Sequence, residues 1–377
     1  MDRGRRGAAG LYLHLPFCAT RCAYCTFVTS TDLAWLPRTL AATARELERL
    51  ARPTGRPLAT VYLGGGTPSL VPGQHLEQLF GTLRRSFGMA DVQECTIEAN
   101  PDDVSPELLA LWRRLGVTRV SIGVQAFHDR VLQLLNRRHD AAAARRAVEL
   151  ALAAGFAVSL DLMLGLPGMA MAELEASLAE VVRLRPHHVS VYLLEMDKPH
   201  ALVRLADRRP DLFPDADAAA AQYLAAGRTL VAAGYRHYEI SNFARPGFQA
   251  RHNLRYWLGQ PVLAAGLAAH GQAGRRRWAN HAELPAYLDA VEAGRPPIAW
   301  SRRLGDDEAR KERVMLGLRL ARGVSQDDAA ECGRMAPEFR AKLDDFLALS
   351  LARERAGVVR LTPRGWLVSN ELMAALW

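Results

Sequence analysis

A chain of 377 residues, 49% hydrophobic and 23% charged, has the length for one large domain and one or two smaller ones. Its formal net charge of +8 is almost all arginine, since lysine occurs only at Lys198, Lys311 and Lys342; the arginines are scattered without a basic block, which argues against nucleic-acid binding. No run reaches the roughly 18 apolar residues of a membrane helix, the basic start MDRGRRGAAG leads only into 11–17, broken by His14 and Pro16, and the five cysteines are too few for a disulfide framework, so a cytoplasmic protein is expected.

Short apolar runs alternate with helical patterns up to about residue 235. The first strand is expected over 11–15, with His14 on the face opposite Leu11, Leu13 and Leu15. A helix over 33–51 follows, then strand 60–63, helix 75–87, strand 94–98, helix 106–115 and strand 119–124. Next come helix 141–154, strand 157–164, helix 171–184, strand 188–194 and helix 218–233. Gly116, Gly155 and Gly234 mark helix ends. Such repetition predicts a parallel sheet with helices outside it, either open or an incomplete barrel, with ligands at the carboxyl ends of the strands. Beyond 240, residues 241–300 are rich in aromatics, glycine and proline with little periodicity and read as a connecting segment. Helices over 305–319 and 337–355, then a short strand, a turn and a last helix, predict a small winged-helix-like domain over 301–377.

The chemistry-bearing residues fall just after the strands. Tyr12-Leu13-His14-Leu15-Pro16-Phe17-Cys18 opens a Cys-x-x-x-Cys-x-x-Cys loop of Cys18, Cys22 and Cys25. Three thiolates in one short loop suit an iron–sulfur cluster, whereas structural zinc takes four ligands. Three ligands on a four-iron cube leave one iron open for a bound molecule. Cys95 and Cys332 stand alone and read as buried structural thiols. Gly64-Gly65-Gly66-Thr67 follows the second strand, where a glycine run lets backbone N–H groups approach an anion. Glu98 closes the third strand and can bind a ribose hydroxyl or an ammonium; Gln125, Arg137 and Asp161 follow in order.

The cysteine motif resembles the signature of the radical S-adenosylmethionine (SAM) superfamily. That resemblance implies a 4Fe-4S cluster on Cys18, Cys22 and Cys25, with SAM chelated by the open iron and cleaved to methionine and a 5′-deoxyadenosyl radical. It also implies a partial (β/α)6 radical SAM barrel over 1–240. The later segments resemble the coproporphyrinogen-oxidase-like branch over nearly the whole chain. In that branch Tyr12, Gly65, Gly66, Thr67, Glu98, Gln125, Arg137 and Asp161 match positions that contact SAM, the glycine segment resembling the one that binds its amino group, and Tyr24 packs nearby; no catalytic residue is implied.

Within the branch, Phe27 stands where the oxygen-independent coproporphyrinogen dehydrogenase has a further cysteine, which points to the HemW type, although Thr26 replaces its usual aspartate. His252-Asn253-Leu254-Arg255-Tyr256-Trp257 resembles the HemW-type His-Asn-x-x-Tyr-Trp motif and implies haem, with His252 as a candidate axial ligand. Ala269-His270-Gly271 resembles another family turn, with Ala268 in place of its glycine and His270 as a secondary haem-ligand candidate. Three functions follow from the resemblance: a haem chaperone serving acceptor haemoproteins, a porphyrinogen decarboxylase, and a radical SAM methyltransferase or cyclopropanase. It also implies an electron donor such as flavodoxin or ferredoxin, and leaves peripheral membrane contact open.

Overall fold

Period-two patterning builds the sheet. Along β1 (Ala9–Leu15), Leu11, Leu13 and Leu15 are buried in the main apolar core, while Tyr12 and His14 alternate with them. The same alternation recurs in β2 (Leu58–Gly65), β3 (Glu94–Ala99), β4 (Arg119–Gln125), β5 (Ala157–Leu164) and β6 (His188–Leu193). Val61, Leu63, Cys95, Ile97, Val120, Ile122, Val158, Leu160, Val189 and Val191 all belong to the core that the helices cover. The other face carries Thr60, Tyr62, Thr96, Glu98, Ser121, Ser159, Asp161 and Ser190, a polar lumen in place of a packed interior. The computed structural model describes residues 8–54 and 57–377; most of the basic start noted above, residues 1–7, lies outside them.

The covering helices are α1 (Leu36–Thr54), α2 (Gly73–Phe87), α3 (Pro106–Leu115), α4 (Asp129–Leu134), α5 (Ala141–Ala153), α6 (Met171–Leu184), α7 (Ala201–Arg208) and α8 (Ala216–Ala232). Local chemistry sets their ends: Ser105, Asp140 and Asp215 accept from backbone N–H groups at the starts of α3, α5 and α8, and Gly116 ends α3 in the left-handed region. The short α4 and α7 escape sequence reading because neither is long enough to show a periodic stripe.

The connecting segment expected over 241–300 is corrected. It carries β8 (Asn242–Ala244), which pairs with β7 (Arg236–Glu239), then α9 (Arg251–Trp257), β9 (Val262–Gly266), β10 (His270–Ala273), β11 (Arg276–Asn280), α10 (Leu284–Glu292) and the start of β12 (Ile298–Arg303). One twelve-stranded sheet results, in the order β12-β11-β10-β9-β1-β2-β3-β4-β5-β6-β8-β7. Strands β1 to β6 are parallel neighbours, β9 adds a further parallel strand beside β1, and the outer strands run antiparallel. Strand β9 is buried at every residue, so its sequence shows no alternation to find.

The C-terminal residues have a second core around Val314, Leu318, Phe339, Phe346 and Trp366. Its elements are α11 (Asp306–Leu318), β13 (Val324–Ser325), α12 (Gln326–Met335), α13 (Pro337–Ala348), β14 (Ala352–Arg355), β15 (Val358–Leu361), α14 (Pro363–Leu367) and α15 (Ser369–Ala374). Helix, strand, helix, helix and a strand pair follow the order of a winged helix. Two expectations change: α12 is an extra helix, and the helix expected to reach 355 stops at Ala348 because Ser350 turns left-handed and β14 begins.

Candidate active site

A cavity of about 440 Å³ opens at the carboxyl ends of the parallel strands and is lined by Cys18, Cys22, Cys25, Tyr24, Gly65, Gly66, Thr67, Glu98, Gln125, Arg137 and Asp161. The fold thus gathers residues spread over more than a third of the sequence. Of the residues expected at the site, Tyr12 and His252 are absent from this lining.

The cysteine loop is tied at both ends. Ser30 donates its N–H to the Pro16 carbonyl at 2.7 Å and accepts from Cys18 N–H at 3.0 Å. Ala23 N–H bonds the Leu135 carbonyl at 3.0 Å, and Asn136 Nδ2 donates to the Arg21 carbonyl at 2.8 Å. Burial pushes the Cys18 and Cys25 thiols above their ordinary range. Opposing that at Cys18, Thr67 Oγ1 donates to its Sγ at 3.4 Å, and Arg137 Nη1 donates to Cys22 Sγ at 3.2 Å. Among the described residues no three metal-ligating side chains converge closely enough for a single ion. Cys18, Cys22 and Cys25 all line the one cavity, where they could each take a separate iron of a cluster.

The glycine run departs from the anion reading of its sequence, and leaves in place the SAM amino group that the resemblance implies there. Its N–H groups are all engaged within the protein: Gly65 with Glu98 Oε2 at 3.1 Å, Gly66 with the Leu15 carbonyl at 2.9 Å and Thr67 with the Phe17 carbonyl at 2.8 Å. With these N–H groups spent, Gly65 to Thr67 offer a ligand no free backbone donor for an anion. Glycine is required for another reason. Gly65 has φ +107°, and a Cβ there would lie 2.6 Å from the His14 ring; at Gly66 it would lie 2.7 Å from the backbone of Pro16 and Phe17.

Glu98 accepts from Tyr62 Oη at 2.7 Å as well as from Gly65, and burial still pushes its carboxyl up to about 7. Asp161 is pushed up to about 6 by burial, against hydrogen bonds from Ser190 and Ser121. Arg137 is held by Asn100 Oδ1 at 2.6 Å and the Gly123 carbonyl at 2.7 Å, and its buried Nε has no partner. An unpaired donor and two buried carboxylates lining one cavity suit a polar, zwitterionic ligand such as SAM. Gln125 ends β4 with φ 68°, at a register shift in the ladder; holding a non-glycine residue there costs about 1–3 kcal/mol, which marks a position fixed by the site.

Tyr12 lies on the lumen face of β1, where its hydroxyl donates to His14 Nδ1 at 3.2 Å while His14 Nε2 donates to the Val28 carbonyl at 2.9 Å. His252 is 1% exposed. Its Nδ1 bonds Thr60 Oγ1 at 2.9 Å, its Nε2 has no partner, and Tyr62 and Tyr256 pack at 5.2 and 5.6 Å between ring centroids. Sequence reading missed Tyr62, Asn100, Asn136, Ser121 and Ser190. The polar period-two positions of the strands carried a signal for Tyr62, Ser121 and Ser190; Asn100 and Asn136 lie in loops without one.

Six parallel strands, a tied three-cysteine loop and a polar cavity above the lumen define a radical SAM protein. Residues 12–181 match the Radical SAM superfamily and residues 304–368 the HemN C-terminal domain. The sequence is 38% identical to the protein described as Heme chaperone HemW in Mycobacterium tuberculosis strain H37Rv, over 97% of this chain and 94% of that one. It is 34% identical to that of Bacillus subtilis strain 168, over 97% and 98% of the two chains. The chain belongs to the HemW family of radical SAM proteins, and a 4Fe-4S cluster and SAM follow from that membership. The solved coproporphyrinogen III oxidase HemN of Escherichia coli shares the fold, with a TM-score of 0.86 at 22% identity over 99% of this chain and 91% of that one.

Within this family Cys18, Cys22 and Cys25 would hold the cluster, and Gly65, Gly66, Thr67, Glu98, Gln125, Arg137 and Asp161 would bind SAM beside it. A reduced cluster held there would supply one electron to SAM. The residues lining the cavity would orient the ligand, with Glu98 and Asp161, whose carboxyls burial pushes up to about 7 and about 6, facing it.

Proposed function

We propose that this protein binds haem and delivers it to acceptor haemoproteins, with the cluster and SAM supporting transfer. The observation that carries this reading is the likeness to proteins described as haem chaperones, which extends over 97% of the chain. Phe27 agrees with it: the position at which a decarboxylase of this branch carries a further cysteine holds an exposed phenylalanine at the cavity lip. The implied partners are haem, an acceptor haemoprotein and a small electron carrier of the flavodoxin or ferredoxin kind. The expected setting is the cytoplasm; among the described residues no helix is long and apolar enough to cross a membrane.

One anaerobic experiment tests the reading. Cluster-loaded protein is titrated with haem while a parallel reaction with coproporphyrinogen and SAM is assayed for carbon dioxide, 5′-deoxyadenosine and S-adenosylhomocysteine. Stoichiometric haem binding without porphyrinogen turnover is expected. Rapid decarboxylation would assign the protein to oxidase chemistry, and S-adenosylhomocysteine formation to methyl transfer.

A further inference from the structure

We infer that β12 is a docking strand, whose free edge takes an acidic, extended segment of a partner protein as one further strand of the sheet. The inference holds whatever cargo the protein carries. Of the two strands that end the sheet, β7 is bridged through Glu239 to Leu320, whereas β12 has β11 alone for a neighbour. All residues of β12 from Ala299 to Arg303 are exposed. Leu304 N–H donates to the Arg275 carbonyl at 2.9 Å, so the alternation of an antiparallel ladder turns the backbone N–H and C=O of Ser301 and Arg303 outward. Among the described residues nothing pairs with those groups. Such a row of unspent donors and acceptors is a template for another strand.

Charge selects the occupant. The register sets Arg276 opposite Arg303 and Arg277 opposite Arg302, and like charges directly opposite destabilise a ladder. On one face they are neutralised, because Arg277 pairs with Glu312 and Arg302 with Glu308. On the other face they are not. Arg276 donates to Ser301 Oγ at 3.0 Å and lies over the Trp278 ring, and the Arg303 side chain has no ion pair or hydrogen bond among the described residues. A carboxylate on an added strand would face Arg303 directly, with Arg276 one strand behind it. A second copy of the chain brings the same arginines to the seam, so like charge disfavours it.

The same edge carries an apolar anchor. Trp300 is 45% exposed and is steadied by the exposed His270 ring at 5.9 Å between centroids. Charge alone would suffice to blunt an edge strand, and an open indole works against that purpose. Side chains alternate between the two faces of a strand, so Ser301 and Arg303 share one face and Trp300 the other. The segment that satisfies both faces alternates acidic with apolar residues, acids toward Arg303 and apolar side chains toward Trp300. Strand β12 lies four strands from β1, about 19 Å across the sheet, so changes on it leave the cysteine loop untouched.

The test titrates the full, cluster-loaded chain into a fluorescein-labelled peptide of alternating glutamate and valine, beside the same peptide with lysine for glutamate. Anisotropy reports affinity, and hydrogen exchange by mass spectrometry reports the amides of 298–303. The acidic peptide should bind, more weakly as salt rises, and should slow exchange over that segment; the lysine peptide should not bind. Ser301→Pro removes an outward N–H and spares the ladder to β11, and Arg303→Glu reverses the charge. Each should weaken the acidic peptide by about tenfold or more, while Arg303→Lys should bind it as wild type, with iron content unchanged in all three. Equal binding of both peptides, wild-type affinity in Ser301→Pro and Arg303→Glu, or no binding at millimolar peptide would overturn the inference. So would a concentration-dependent dimer that Ser301→Pro abolishes and the acidic peptide does not compete, which would give the edge to a second copy.

Discussion

Gly65 joins two functions at one residue. Its N–H holds Glu98, and its missing side chain leaves room for His14, which in turn holds the loop that carries Cys25 through Val28. Gly65→Ala puts a Cβ 2.6 Å from the His14 ring at a φ of +107°, and is expected to cut iron and sulfide content as well as SAM affinity. Full cluster loading in that variant, by iron analysis, would break the proposed link. Glu98 carries the second test. Burial pushes its carboxyl up to about 7 from an ordinary 4.5, so between those values the ligand-free protein keeps a proton that the unfolded chain has released. Stability from this group therefore falls as pH rises from 4.5 and is fully lost above 7. Glu98→Gln should flatten that part of the urea-midpoint profile, and should also remove the tightening of SAM binding expected, by calorimetry, as wild-type Glu98 ionises. Motif order made Glu98 legible in the sequence. Its hydrogen bond to Tyr62 was not, because that contact spans two strands.

At the scale of the element, α9 shows how a short motif can be visible while its role is not. The helix has seven residues, too few for stability in isolation, and it persists because Glu94 accepts from the backbone N–H groups of Arg251 at 3.1 Å and His252 at 2.9 Å. The same carboxylate pairs with Arg119 at 3.2 Å, both side chains 5% exposed. Glu94→Ala strands a buried guanidinium and frees the helix start, and should cost about 3–5 kcal/mol by urea unfolding. Replacing both partners with apolar residues, Glu94→Leu with Arg119→Met, should recover part of that loss. A cost below about 1 kcal/mol for the single change would mean that α9 is held by its apolar contacts alone. The sequence located His252 to Trp257 as a unit. Glu94, more than a hundred residues away, decides where the unit sits.

Over the whole molecule, buried histidines and buried carboxylates tilt stability in opposite directions with pH. His237 is stacked on Phe243 at 3.9 Å and meets Trp366 of the C-terminal core at 4.5 Å, and burial pushes it down to about 4 from an ordinary 6.5. The unfolded chain takes up its proton first, so this contribution is present above 6.5 and is lost as pH falls toward 4. His237→Gln should remove a loss on acidification, whereas Glu98→Gln removes a loss on alkalinisation. Urea midpoints between pH 5 and 7 should therefore shift in slope with opposite signs for the two variants; slopes of the same sign would contradict the burial of one of them. The sequence by itself determined the repeating strands and helices, the cysteine loop and the order of the residues that follow each strand. Those are local properties, fixed by period, turn chemistry and ligand spacing. Only the tertiary structure decided that 241–300 joins the sheet, that the glycine N–H groups are spent on the protein, and that His252 is enclosed while His270 is open. Each of these depends on which distant segment pairs with which, and a side chain's exposure exists only once that pairing is made.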